Sequence, residues 1–275
     1  MRSEPLVSIL IPTYNSEATI EACMSSIVKQ TYPKIETIVT DGYSTDCTVD
    51  IARKCGEVSL YEAGLLGARY DGFRKSHGDL VLLLDSDQIL EKSSIERAIG
   101  MMEKYDMLCF EEQSYEPKTF VEKLFEADRK LVHKCANYNI DPLQGVLLAR
   151  LYKRQTLNMA FQSIPSNLFP IVIAHDHAII YYEAYRVSSR VGILPKAIWH
   201  VEPSSLIQLW TKNVRYGRST KSLSENGYYR DLLKKKYTLR RGGLTFSNWK
   251  IGFESIFLLA LKGVAFQIGF WVQNV

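Results

Sequence analysis

Residues His77 to Asp87 read HGDLVLLLDSD, and this stretch decides the fold. Leu80–Leu84 is an unbroken apolar run, too short for a helix and lacking the alternation of a half-exposed strand. It therefore reads as a strand buried on both faces, the kind found in parallel sheets covered by helices. The run ends in Asp85-Ser86-Asp87, so two carboxylates at i and i+2 leave a buried edge together. Such a pair suits a hard divalent cation that keeps some waters and bridges substrate phosphates. The alternative is a solvated turn whose aspartates cap a helix.

Working outward, Leu6–Ile11 is a second apolar run, stopped at Pro12. Ile20, Cys23, Met24, Ile27 and Val28 then recur at helical spacing up to the turn at Tyr32–Pro33. Ile35–Thr40 reads as a strand closed by Asp41-Gly42, and Asp46 is expected to cap a helix through Cys55. Val58–Tyr61 is a weaker strand and Leu65–Ser76 a helix. On the far side, Ser93–Tyr105 reads as a helix and Met107–Phe110 as a strand. Strand and helix alternate from Leu6 to about Phe110, which predicts parallel strands with crossover helices in an open α/β sheet. Ligands bind such sheets beyond the carboxyl ends of the strands. Three polar loops fall there: Pro12-Thr13-Tyr14-Asn15, Asp41-Gly42 and Asp85-Ser86-Asp87. Past residue 110 the pattern loosens into a helix at Phe120–Asn137, a strand at Gly145–Ala149 and a helix at His175–Tyr185.

Composition narrows the classes. Over 275 residues, 46% hydrophobic and 23% charged content exclude disorder, collagen and a multi-span membrane protein. Five scattered cysteines without C-x-x-C spacing point to reduced thiols in a cytosolic compartment, not a zinc ribbon. Glu4 and Pro5 interrupt any basic-then-apolar leader. The net charge of +4 hides an asymmetry: residues 1–195 carry −5 and residues 196–250 carry +9. Lys212, Arg215, Arg218 and Lys221 recur at every third residue of a helix whose Leu206, Leu209, Trp210 and Val214 lie mostly on its other side. Lys234-Lys235-Lys236 and Arg240-Arg241 follow. Such a patch suits phosphates of a lipid diphosphate or anionic head groups; the acidic front and the lack of a motif argue against nucleic acid. A nucleotidyltransferase would carry a Gly-rich basic loop where Pro12–Asn15 stands. The apolar tail begins near Trp249, and its longest uncharged run, Gly263–Val275, falls short of the roughly 20 residues a span needs. An interfacial segment, or a helical contact within a homodimer, is expected there.

Five ordered pieces together resemble a known family: VSILIPTYN at 7–15, QTY at 30–32, TDGYSTDCT at 40–48, GARYDGF at 67–73 and HGDLVLLLDSD at 77–87. They are similar to the donor half of a family 2 glycosyltransferase with the GT-A fold. The likeness continues more loosely through HDH at 175–177 and IWH at 198–200 to about residue 223. It implies an α/β, Rossmann-like, mostly parallel sheet over residues 1–223, with a donor half at 1–110 and an acceptor half at 111–223. Residues 224–275 would form a basic, then apolar, helical extension.

The resemblance also implies chemistry. Members move a sugar from a nucleotide-diphosphate donor, here a UDP- or GDP-sugar, with inversion and with Mg²⁺ or Mn²⁺. Pro12, Thr13 and Tyr14 match the nucleobase segment and Asp41 the carboxylate that accepts from the base, while Gly42 and Cys47 depart from the usual Asp and Gly. Arg69 matches a basic residue near the nucleotide, with an exposed helix arginine as the alternative. Asp85 matches the ribose-side carboxylate and Asp87, with Asp85 beside it, the metal site. Asp176 matches the general base, the second residue of a Glu-Asp pair; His175 replaces the Glu and His177 is extra. His200 matches a histidine of the metal or diphosphate shell, or else is a structural histidine. Arg150, His175, Lys212 and Arg215 are candidates for the acceptor or phosphate side. The acceptor would be a hydroxyl of a polyprenyl-linked or other glycan; a polyprenyl-phosphate sugar synthase, whose nucleophile is a phosphate oxygen, is the alternative. The expected location is the cytoplasmic face of a membrane, bound peripherally.

Overall fold

A computed structural model describes residues 4–135, 139–143, 147–235 and 249–272. Strands β1 (Val7–Thr13), β2 (Ile35–Asp41), β3 (Glu57–Leu60) and β4 (Leu80–Leu83) are parallel neighbours, joined by α1 (Glu17–Val28), α2 (Thr48–Ala52) and α3 (Leu65–Lys75). Then come β5 (Gln88–Leu90), α4 (Ser94–Met101), β6 (Met107–Ser114), α5 (Phe120–Cys135), β7 (Ala149–Lys153) and α6 (Arg154–Ser163). The chain continues with α7 (Asp176–Val187), β8 (Val191–His200), α8 (Leu206–Glu225), α9 (Arg230–Lys235) and α10 (Trp249–Trp271). All eight described strands form one sheet in the order β3-β2-β1-β4-β7-β6-β8-β5.

The Leu80–Leu84 run is buried on both faces, as its pattern predicts. Leu80, Leu82 and Leu84 enter the core that holds Ile9, Ile11 and Val39, while Val81 and Leu83 enter the core on the other face with Leu10 and Ile38. Each such side chain contributes roughly 1.5–3 kcal/mol by leaving water.

The parallel alternation ends at β4. β6, expected as the next parallel strand, is separated from β4 by β7, which is antiparallel to both. The strand expected at Gly145–Ala149 instead begins at Ala149, and residues 144–146 lie outside the described residues. Cross-strand packing overrides local hydrophobicity here: Leu151 pairs with Leu82 and with Leu108, and the fully buried Tyr152 pairs with Val81. β8 then runs parallel to β6, and β5 pairs antiparallel with β8. Neither β5, β8 nor α6 was legible as an element. The helix after Asp46 is short, Thr48–Ala52, and α5 is described to Cys135.

α8 runs across residue 223, and α10 packs on both α8 and α5. Gly217 and Gly269 bring the α8 and α10 backbones together; a Cβ on Gly269 would lie 2.0 Å from the Val214 carbonyl. Ser255 donates to Asp128 at 2.6 Å, and Lys262 sits 4.8 Å from the Phe125 ring centre. By length and composition Gly252–Trp271 is one helix able to cross a membrane, so the sequence-based length argument against a span does not hold. The helix is instead two-sided. Gly252, Ser255, Leu258, Ala265 and Gly269 are buried, whereas Phe253, Ile256, Phe257, Val264, Ile268 and Trp271 are exposed. Glu254 and Lys262, the charges that interrupt the sequence, are half-buried. At the start of α8, Leu209 is buried, but Leu206, Ile207 and Trp210 are exposed, contrary to the expected apolar side.

Candidate active site

A cleft of about 1890 Å³ opens along the carboxyl edge of β1, β4, β6 and β8. Its floor carries Asp85, Asp87, Glu112 and His200; Asp176 and His177 come from α7, Lys212 and Arg215 from α8, and Phe125 and Arg129 from α5. Leu259, Lys262 and Phe266 of α10 close the far wall. Because β7 is antiparallel, its first residues lie at this same edge, and Arg150 joins the floor.

At one end, Pro12, Thr13 and Tyr14 line the cleft beside Gly42, and Tyr14 is 56% exposed. Asp41 does not line it. It is fully buried, its Oδ1 accepts from Thr13 Oγ1 at 2.7 Å and from Ser44 Oγ at 2.6 Å, and its Oδ2 accepts from the Ser44 amide at 2.7 Å. It shapes the loop from within.

Arg69 is neither an exposed helix arginine nor a group at the cleft surface. At 1% exposure it lies beneath the floor, where Nε donates to Asp176 Oδ2 at 2.5 Å and Nη2 to Asp85 Oδ1. Arg150 takes the other Asp85 oxygen, Nη1 to Oδ2 at 2.8 Å, and its Nη2 donates to Glu112 Oε1 at 2.7 Å. Arg129 bonds Glu112 Oε2 at 2.7 Å and also Glu202. Glu202 lies 3.3 Å from His200 Nδ1, His200 Nε2 lies 3.6 Å from Asp87 Oδ1, and Lys212 Nζ lies 3.5 Å from Asp87 Oδ2. Asp176, Arg69, Asp85, Arg150, Glu112, Arg129, Glu202, His200, Asp87 and Lys212 thus form one chain of charges, negative and basic groups in strict alternation. Alternation is what keeps this many ionisable groups tolerable away from water, since each buried charge has an opposite partner.

The environment sets the protonation states. Burial raises the Asp85 carboxyl, but Arg150 and Arg69 outweigh it and hold it well below the usual carboxylate range. For Asp176 burial again raises, and the Arg69 guanidinium more than compensates, so it stays ionised. Glu112 and Glu202 are pulled down to about 2 against burial, Glu112 by Arg150 and Arg129, Glu202 by His200 and Arg129. His177 is pushed down by burial, Arg150 and Arg69. A neutral His177 fits its contact, in which Nε2 accepts from Arg150 Nη1. His200 is raised: Asp87 and Glu202 overcome burial. Lys212 is likewise raised despite burial, chiefly by Asp87.

Asp87 and His200 meet because β5 follows the D-S-D turn directly and pairs with β8. Gln88 is opposite His200, and the Val201 amide donates to the Asp87 carbonyl at 2.8 Å. Among the described residues no group of three or more His, Cys, Asp or Glu side chains could hold a metal by itself. Asp87 and, once its proton is displaced, the His200 imidazole fit a Mg²⁺ or Mn²⁺ ion in the open cleft space beside them. Asp85 fits less well, because both of its oxygens already accept from guanidinium groups.

His175 precedes α7 in the left-handed region, φ 68°, which costs a non-glycine residue about 1–2 kcal/mol. Its Nε2 lies 2.8 Å from Thr220 Oγ1. The sequence reading missed Glu112, Arg129 and Glu202. The available signal was Glu111-Glu112 within the second half of β6, an acidic pair toward the same edge as Asp85 and Asp87.

The sequence profile described as Glycosyl transferase family 2 matches residues 8–164. A UDP-Glc:alpha-D-GlcNAc-diphosphoundecaprenol beta-1,3-glucosyltransferase of Escherichia coli, WfgD, is 37% identical over 105 residues, 36% of this chain and 42% of that protein. Glycosyltransferase AglE of Haloferax volcanii is 32% identical over 106 residues, 35% of each chain. The matched segment therefore spans less than half of either relative. Among solved structures, Staphylococcus aureus TarS 1-349 in complex with UDP-GlcNAc superposes with TM-score 0.58 at 18% identity, over 94% of this chain and 81% of that one. The mannosyltransferase PcManGT of Pyrobaculum calidifontis, in complex with GDP-Man and Mn²⁺, gives 0.56 at 17% identity, over 100% and 77%. These two likenesses establish a shared fold.

Proposed function

The chain belongs to glycosyl transferase family 2, and from that membership we propose that it moves a sugar, with inversion, from a nucleotide-diphosphate donor to a hydroxyl of a lipid-linked or other glycan acceptor. One observation carries the reading: Asp176 and Asp87, two carboxylates with different partners, face one cleft at the strand edge. The loops with Pro12, Thr13 and Tyr14 would hold the nucleotide, and Asp85, fixed by Arg69 and Arg150, would face its ribose. Asp87 and His200 would hold the divalent ion, which when bound supplies Lewis-acid neutralisation of the departing diphosphate. Lys212 and Arg215 add positive charge on the same side, where negative charge grows as the sugar leaves.

Asp176 would take the proton of the acceptor hydroxyl. Its depressed pKa means that it is already ionised at neutral pH, the state a general base needs. The acceptor would enter between α5 and α10, past Phe125, Leu259 and Phe266, with Lys262 for its phosphate. The undecaprenol-linked substrate in the name of the Escherichia coli relative supports this acceptor class and makes UDP-glucose the first donor to try.

The outer face of α10 fits an anionic bilayer surface. Phe253, Phe257, Val264, Ile268 and Trp271 offer apolar insertion, and the +9 segment before it offers attraction to head groups. Lys236, Arg240 and Arg241 of that segment lie outside the described residues. Docking of this kind would hold the cleft near a membrane-borne acceptor, with the chain peripheral on the cytoplasmic face.

The test is a thermal-shift panel of nucleotides and sugar nucleotides with Mg²⁺ or Mn²⁺, followed by turnover of the best donor. A true donor raises Tm by mass action. Asp176→Asn should lower turnover by roughly 10²–10⁴-fold with donor binding kept. A panel without any stabilising sugar nucleotide, or a fully active Asp176→Asn, would overturn the assignment; retained turnover onto a polyprenyl phosphate would identify the synthase alternative.

A further inference from the structure

The segment that delivers Asp176 is held from two sides. On one, the start of α3 donates three backbone N–H groups to it: Gly64 to the Pro170 carbonyl, Gly67 to Phe169 and Leu66 to Val172, at 2.9 to 3.1 Å. On the other stands α8. Ser219 Oγ accepts from both the Ile173 and the Ala174 amides, each at 3.0 Å. Thr220 Oγ1 donates to the Tyr216 carbonyl at 2.7 Å, so its contact with His175 Nε2 at 2.8 Å has the imidazole as donor. Two adjacent hydroxyls therefore take three consecutive donors of the loop, one each from residues 173, 174 and 175. Both are buried, Ser219 at 6% and Thr220 at 1% exposure, where an unmet N–H is expensive.

The same loop carries the left-handed His175 directly before Asp176. A strained backbone at a functional position persists only where its surroundings over-determine it. α8 is itself fixed at this level, because Gly217 lets α10 cross in backbone contact, two residues before Ser219.

We propose that Ser219 and Thr220 are positioning residues for Asp176: through the 173–175 loop they hold the carboxylate at its working place opposite the donor. The claim rests on the reading of Asp176 as general base. Neither hydroxyl touches the carboxylate, whose own partner is Arg69.

The experiment compares Ser219→Ala, Thr220→Val and Thr220→Ser in the full chain. Amide hydrogen exchange of the 173–178 segment, without ligand, is the first readout. Loss of the Ser219 acceptor should speed exchange at Ile173 and Ala174 by about tenfold, with the exchange of amides remote from this loop changed far less. Turnover of UDP-glucose, or of whichever donor the panel selects, is the second. A displaced base should lower kcat by up to roughly 10²-fold in Ser219→Ala and Thr220→Val, with donor KM unchanged. Thr220→Ser, which keeps the hydroxyl, should behave as wild type. Unchanged exchange in Ser219→Ala overturns the proposal whatever the turnover. So does an equal loss in Thr220→Ser and Thr220→Val, or a defect that appears in donor KM alone. A wild-type chain that turns over no sugar nucleotide would refute the transferase reading instead, and the exchange result would still decide the role of Ser219.

Discussion

Glu112→Gln removes the central negative charge of the network while keeping its shape. Glu112 Oε1 accepts from Arg150 at 2.7 Å and from Gln88 Nε2 at 3.0 Å, and Oε2 accepts from Arg129 at 2.7 Å. The amide offers one acceptor where two are needed, and it leaves Arg150 and Arg129 short of a counter-charge. Breaking a buried pair by removing one partner costs about 3–5 kcal/mol. A second route gives a similar size: the carboxyl falls from 4.5 to about 2, which at 1.36 kcal/mol per unit is about 3 kcal/mol at neutral pH. For a chain of this size about 2 °C accompanies each kcal/mol, so Tm should drop by roughly 6–10 °C. The sign of the pH effect follows from the depressed pKa. Wild type holds this stabilisation above pH 4.5 and loses it as pH falls toward about 2, whereas the glutamine variant has nothing to lose. The stability gap should therefore shrink by about 1–2 kcal/mol between pH 7 and pH 3.5. Urea midpoints at a series of pH values measure it. Equal stability at pH 7, or a gap that stays constant down to pH 3.5, would refute the argument that Glu112 is a paired buried carboxylate.

Gly269→Ala should destabilise by about 1–3 kcal/mol, because its Cβ meets the Val214 carbonyl and the helices must part, whereas Gly263→Ala, with nothing within 4 Å, should be neutral or gain up to about 1 kcal/mol; urea titration of both decides. Asp87→Ala should abolish the extra donor affinity that Mn²⁺ provides, read by calorimetry with and without EDTA; metal dependence that survives would remove Asp87 from the ion's shell. Phe253→Ser with Trp271→Ser, both exposed at 66% and 71%, should leave Tm within about 1 °C yet reduce co-sedimentation with anionic liposomes, and undiminished sedimentation would rule out the outer face of α10 as the anchor.

The sequence by itself determined what depends on local periodicity. The both-sides burial of Leu80–Leu84, the alternation up to β4 and the polar loops after β1 and β4 follow from spacing and residue type within a few positions. So does the placing of Asp85, Asp87 and Asp176 at element ends, because a strand edge or a helix start is a local signal. Tertiary structure decided the rest. Residues 149–153 became a strand because β4 and β6 offered them partners, although the apolar run lay just before. For Arg69 the sequence left a group near the nucleotide and an exposed helix arginine both open; only its partner 107 residues away, Asp176, makes it a core residue. Arg150, Glu112, Arg129 and Glu202 come from four separate segments, and no local rule pairs charges so far apart. The two charges within the tail interrupt its sequence but lie away from the outer face of α10, a distinction that exists only once the helix is wound against α5 and α8. Periodicity records which side of an element is buried, whereas the order of strands in the sheet decides which buried or polar groups meet.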